Sequence, residues 1–149
     1  MSGSKHLISK ALSNILRQKF EVWEETEIIG GSSLMYRPDA FFIAPEGTLF
    51  VVEIKINMVT IDHIRVLIDF CSDLQTVLGR APIEIILCSP TPLSSNLKEY
   101  IDRASSFKFP IHFFLLTDKK AAYLLSLNEK SAEFKEETER VLSEILRGK

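Results

Sequence analysis

Asp39, Glu53 and Lys55 are the residues whose types and spacing could do chemistry. Glu53 and Lys55 interrupt the otherwise apolar run Leu49-Phe50-Val51-Val52-Glu53-Ile54-Lys55-Ile56. Side chains alternate along a strand, so two charges two residues apart share a face. A charge buried alone is costly, and buried charges are normally paired or bound to a metal. Upstream, Ala44-Pro45-Glu46-Gly47 reads as a turn, with proline presetting φ and Gly47 free to take the left-handed conformation. A three-residue loop of this kind makes a type I turn followed by a glycine bulge. Ala44 then pairs with Thr48, and counting back places Asp39 opposite Glu53. Two carboxylates brought together repel each other unless a cation joins them. Lys55 supplies one positive charge. A hard divalent ion, Mg²⁺ or Mn²⁺, would supply more, since such ions prefer oxygen ligands and keep several waters. It would also lower the pKa of water beside it. A nearby lysine could position that water or stabilise charge developing on a phosphate. The alternative is a structural salt bridge from Lys55 to Asp39 or Glu53.

These three residues need a hairpin to bring them together and a core to hold it. The strands expected at 39–44 and 48–56 form that hairpin. Before it, 4–19 carries Leu7, Ile8, Ala11, Leu12, Ile15 and Leu16 at helical spacing, and 21–29 reads as a strand. After it, 60–78 reads as a helix with Ile61, Ile64, Leu67, Ile68, Cys71, Leu74 and Leu78 on one side, stopped by Gly79 and Pro82. A buried strand at 83–88, a helix at 93–106, a strand at 111–116, a further strand at 121–127 and a helix at 131–147 complete the expectation. This order predicts an α/β fold with a mixed sheet and helices on both faces. The near-continuously apolar strands fit a sheet covered on both sides.

Pro38-Asp39, thirteen intervening residues and then Glu53-Ile54-Lys55 resemble the signature of the PD-(D/E)xK nuclease superfamily. That group includes restriction endonucleases, RecB-type nucleases and archaeal Holliday-junction resolvases, the last being most similar in size and layout. The resemblance covers about the first two thirds of the chain. It implies a restriction-endonuclease-like αβββαβ core, which matches the order of elements over 4–88. It further implies that Asp39 and Glu53 bind the metal, with the Ile54 carbonyl as an added ligand, and that Lys55 acts on the attacking water. The implied activity is divalent-metal-dependent DNA endonuclease, on duplex or branched DNA. One departure stands out: the resolvases usually carry an acid in the first helix as a further metal ligand, and residues 4–20 contain none. The candidates to take its place are Glu21, Glu24, Glu25 and Glu27. Glu25 is the choice, because it lies mid-strand with Trp23 and Glu27 on its side. The competing reading of that cluster is a solvated edge strand whose charges discourage aggregation.

Charge is distributed unevenly. Residues 1–20 hold Lys5, Lys10, Arg17 and Lys19 and no acid, whereas 21–53 hold seven acids and one base, Arg37. An acidic pocket beside a basic helix suits an enzyme acting on a polyanion, although the net charge of −2 does not advertise a nucleic-acid binder. His63 and Arg65, near the start of the 60–78 helix, are candidates for substrate contact. So are Ser32 and Ser33 in the Gly30-Gly31-Ser32-Ser33 loop, through hydroxyls and backbone amides. A lone histidine and a Gly/Ser loop are, taken by themselves, more often structural. His6 and His112 have no evident partner. Cys71 and Cys88 read as reduced, buried thiols. The 149 residues suit a single domain spanning 1–149. No apolar run is long enough to span a bilayer and no signal-peptide core is seen, so a cytoplasmic protein is expected. Val66, Phe70 and Val77 flank the main stripe of the 60–78 helix. That surplus apolar surface predicts a homodimer formed through this helix or through the 131–147 helix. Two rivals to the enzyme remain: a catalytically inactive nuclease-fold domain for DNA binding or protein assembly, and an unrelated α/β interaction domain whose trio is a salt bridge.

Overall fold

The computed structural model of the protein describes residues 3–146, apart from the side chain of Phe107. Helix α1 (Gly3–Leu16) leads into β1 (Val22–Glu24). Two short strands, β2 (Ile28–Ile29) and β3 (Met35–Tyr36), precede β4 (Ala40–Ile43) and β5 (Leu49–Ile54). Then follow α2 (Ile61–Leu78), β6 (Ile83–Ser89), α3 (Ser95–Phe107), β7 (Ile111–Leu115), α4 (Asp118–Ser126) and α5 (Ala132–Ile145). Five strands form one mixed sheet in the order β1-β4-β5-β6-β7. The β1–β4 and β4–β5 pairs are antiparallel, and the β5–β6 and β6–β7 pairs are parallel.

Alternation along β5 explains the layering. Phe50, Val52 and Ile54 pack with α1, α4 and α5, while Leu49 and Val51 pack with α2 and α3. Both faces of the sheet are therefore covered, as the apolar runs at β6 and β7 require. On the first face Phe20, Phe42 and Phe50 stack in succession, with centroids 4.4 and 4.9 Å apart. Among the described residues no helix is long and apolar enough to cross a membrane.

The hairpin forms in the expected register. The Ala44 amide donates to the Thr48 carbonyl at 2.9 Å, Gly47 takes φ 101°, and Ala40 pairs with Val52.

Three expectations are corrected. The expected strand at 121–127 is instead the end of helix α4, which runs to Ser126 with Leu127 as its cap. The Thr117 hydroxyl caps α4 by accepting from the Lys120 amide, and Ala121 and Leu124 turn inward one helical turn apart. The run at 21–29 is not one strand. It breaks at Glu25, whose φ is 45°, so that β1 joins the main sheet and β2 pairs with β3 in a separate hairpin. The buried stripe of α2 is also rotated. Phe70 lies inside, stacked on Tyr36 with centroids 4.1 Å apart, while Ile61 and Leu78 are exposed. Residue 147, the expected end of the last helix, lies outside the described residues.

Candidate active site

Asp39 immediately precedes β4, and Glu53 stands near the carboxyl end of β5. Continuing the β4–β5 register sets the two opposite each other, and the side chains meet. Glu53 hydrogen-bonds the Asp39 carboxyl and is pushed up to about 8, first by burial and then by the charge and hydrogen bond of Asp39. Lys55 and Lys5 act against that rise. Asp39 itself is well held. Its Oδ2 accepts the Ile54 amide at 2.7 Å, and its Oδ1 lies 2.9 Å from the Lys5 ammonium.

Glu53 and Lys55 open onto a cleft of about 230 Å³ that is also lined by Tyr36, Arg37, His63, Leu67 and Phe70. The far wall is α2. Its start is fixed by a capping box, in which the Thr60 hydroxyl accepts from the His63 amide while His63 Nδ1 accepts from the Thr60 amide. With Nδ1 an acceptor, the neutral ring carries its hydrogen on Nε2. Arg65, one residue past Ile64, is exposed and borders a different hollow, together with Tyr100, Arg103 and Lys108.

The other sequence candidates lie apart from this cleft. Glu25 is gripped by Arg37, which donates Nε to the Glu25 carbonyl at 3.0 Å and approaches its carboxylate at 3.7 Å. Glu24 turns to α1, accepting from Ser13 at 2.5 Å and Arg17 at 2.9 Å. Glu21 and Glu27 are exposed. Among the described residues no group of three or more histidine, cysteine, aspartate or glutamate side chains surrounds a point where a metal could sit, so no third acid joins Asp39 and Glu53. Ser32 is committed to α2, with its amide and hydroxyl on the two oxygens of Asp73 at 2.8 and 2.7 Å. These bonds hold the Asp73 carboxyl below its usual range. Gly30 and Gly31 allow this approach, since a Cβ there would fall 2.1 Å from Asp73 and 1.7 Å from Thr76. Ser33 has φ 67° in the same turn.

Lys5 escaped the sequence reading as a site residue. The visible signal was a first helix with bases and no acid, but nothing in the helical periodicity said that its first turn overhangs Asp39. His112 has a partner after all, Glu84, buried and 2.6 Å away. Both cysteines are free and buried, and burial pushes each thiol up to about 12.

The donor set suits a hard cation. Two carboxylates at the open end of the β4–β5 hairpin, one of them holding a proton well above the normal carboxylate range, form a site that a divalent ion would relieve.

No family model matches the chain, and no curated protein matches it. Solved structures do. A repair endonuclease from Pyrococcus abyssi superposes with a TM-score of 0.58 at 16% identity, over 79% of this chain and 49% of that one. An EndoMS protein in a complex with double-stranded DNA superposes with a TM-score of 0.56 at 17% identity, over 77% of this chain and 46% of that one. The chain thus spans about half the length of each neighbour. At this identity the likeness establishes the fold, an α/β architecture shared with both neighbours.

Proposed function

We propose that the chain is a divalent-metal-dependent DNA endonuclease of the PD-(D/E)xK type. The observation that carries this reading is the meeting of the Asp39 and Glu53 carboxyls, with Glu53 and Lys55 lining one cleft. Asp39 and Glu53, with the Ile54 carbonyl, would hold Mg²⁺ or Mn²⁺. When bound, the ion supplies Lewis acidity toward the phosphodiester and the water that attacks it. Lys55 positions that water and offsets charge growing on the phosphate. His63, with Nε2–H as a donor, serves as a phosphate contact from the opposite wall. The sugar–phosphate backbone would run along α1, where His6, Ser9, Lys10, Asn14 and Arg17 line a groove of about 310 Å³ beside Glu24 and Glu25. The molecule acts as a homodimer through the exposed Val66 and Val77 of α2. The other expected interface is closed to this role, because Phe134, Val141, Ile145 and Leu146 are covered within the core.

A second reading has one observation in its favour. The Lys5–Asp39 ion pair is what a nuclease fold retired to DNA binding or assembly would leave behind. A nicking assay with supercoiled, linear and branched DNA, joined to calorimetric Mn²⁺ titration, separates the two. The wild-type chain should cut with Mg²⁺ or Mn²⁺ and stop with EDTA. Asp39→Asn should lose both metal binding and cleavage. Lys55→Ala should keep the metal and lose about 10²–10³ in rate. Binding of metal without cleavage would establish the retired site; neither binding nor cleavage would overturn the metal reading altogether.

A further inference from the structure

We propose that Lys5 is a built-in counter-ion that competes with the divalent metal for Asp39 and so sets the metal concentration at which the site loads. This rests on the metal site described above, and its test separates the two.

The geometry is specific. Lys5 Nζ lies 2.9 Å from Asp39 Oδ1, while Oδ2 takes the Ile54 amide at 2.7 Å. Both oxygens of the carboxylate are therefore engaged before any ion arrives. The Asp39 side chain is only 13% exposed, so solvent screens this pair less than it would a surface ion pair. The ammonium also bears on Glu53, lowering the proton affinity that burial raises. With Lys5 and Lys55 facing Asp39 and Glu53, the fully ionised site carries no net charge. A divalent ion gains most from a site with net negative charge and open carboxylate lone pairs.

The two lysines differ in what tethers them. Lys55 follows β5 directly, and its amide donates to the Cys88 carbonyl at 2.9 Å, so its backbone continues the sheet. Lys5 starts from the first turns of α1, which packs on the other face of the sheet. Its side chain is 28% exposed and ends a flexible four-carbon stem. Lys5 can therefore swing off Asp39 toward water while the strands stay in place. An ion taking Asp39 must displace it, and that displacement weakens binding. One unit charge at this range, with partial screening, corresponds to about tenfold in affinity.

The test measures metal binding, not cleavage. Mn²⁺ titration by calorimetry on the full chain, without DNA, is compared across wild type, Lys5→Met, Lys5→Gln, Lys5→Arg and Asp39→Asn. Lys5→Met and Lys5→Gln should bind Mn²⁺ about tenfold more tightly than wild type, and Lys5→Arg, which keeps the charge, should bind as wild type does. Metal-free melting gives a second reading: both neutral variants should melt lower than wild type, and saturating Mn²⁺ should raise them by more degrees. Unchanged or weaker Mn²⁺ affinity in the neutral variants, with binding still abolished by Asp39→Asn, overturns the role of Lys5 and leaves the metal site standing. No Mn²⁺ binding in wild type or in either neutral variant overturns both.

Discussion

Replacing Glu53 with glutamine should change how the stability of the metal-free protein depends on pH. In the folded chain Glu53 is pushed up from 4.5 to about 8; in the unfolded chain it titrates as an ordinary glutamate. Between those values the folded state holds a proton that the unfolded state has lost. Stability is therefore greatest below about pH 5 and falls as pH rises toward 8. Each unit of difference is worth about 1.4 kcal/mol, so the full effect approaches 4–5 kcal/mol, reduced to about 3–4 by water at the open side of the cleft. For a chain of this size 1 kcal/mol moves the midpoint by roughly 2–4 °C. Wild type should thus lose roughly 10 °C more than Glu53→Gln between pH 5 and pH 9. The assay is thermal melting in EDTA across that range. Titrations of groups remote from Glu53 are shared by both proteins and cancel in the difference. Parallel curves for wild type and variant would refute the reasoning, because they would mean that Glu53 enters the fold without a proton penalty.

Adding saturating Mg²⁺ or Mn²⁺ should flatten the wild-type pH slope, since an ion held by the proposed site would stabilise the ionised Glu53; melting at pH 6 and pH 8 with and without metal checks this. Gly31→Ala should lower stability by about 1–3 kcal/mol, the usual range for overpacking, because its Cβ would sit 1.7 Å from Thr76; chemical denaturation measures it. Glu84→Gln should weaken the bond to His112 and lower the melting midpoint while sparing metal affinity, because Glu84 lies outside the cleft lined by Glu53 and Lys55. Light scattering at high micromolar concentration should give twice the mass of one chain, and Val77→Glu should return it to a single chain.

Local chemistry made much of this molecule legible. The turn Ala44-Pro45-Glu46-Gly47 fixed a register, and a register of period two leaves no freedom about which side chains face each other. That is why Asp39 and Glu53 could be brought together from residue types alone. Element type was legible where one period ran long enough, as in α1, α2 and β6. It failed at 121–127, where Leu124 and Leu125 beside Tyr123 fit a short strand as well as a helix. The tie was broken by the Thr117 cap and by packing against α1, neither of which is a periodic signal. It failed again at Glu25, where a left-handed residue splits a strand, because nothing about a glutamate announces φ 45°.

Lys5 belongs to a third class, neither local nor periodic. Its place beside Asp39 depends on where α1 crosses the end of the sheet, and that is set by how Ile8, Leu12 and Ile15 seat against Phe42 and Val52. An apolar stripe fixes which face of a helix turns inward but not how far the helix slides along the strands. A slide of one turn, about 5.4 Å, would carry the Lys5 ammonium out of reach of Asp39 with the stripe still buried. The chemistry of the site thus depends on two kinds of information. The carboxylate pair follows from hairpin register, and the charge that faces it follows from the packing of a helix onto the far side of the same sheet. Changes to the α1 core should therefore alter the metal threshold without touching any residue of the cleft. Ile8→Ala, which hollows the seat of α1, should shift Mn²⁺ affinity in the same direction as Lys5→Met, while Leu67→Ala, under α2, should lower stability without that shift.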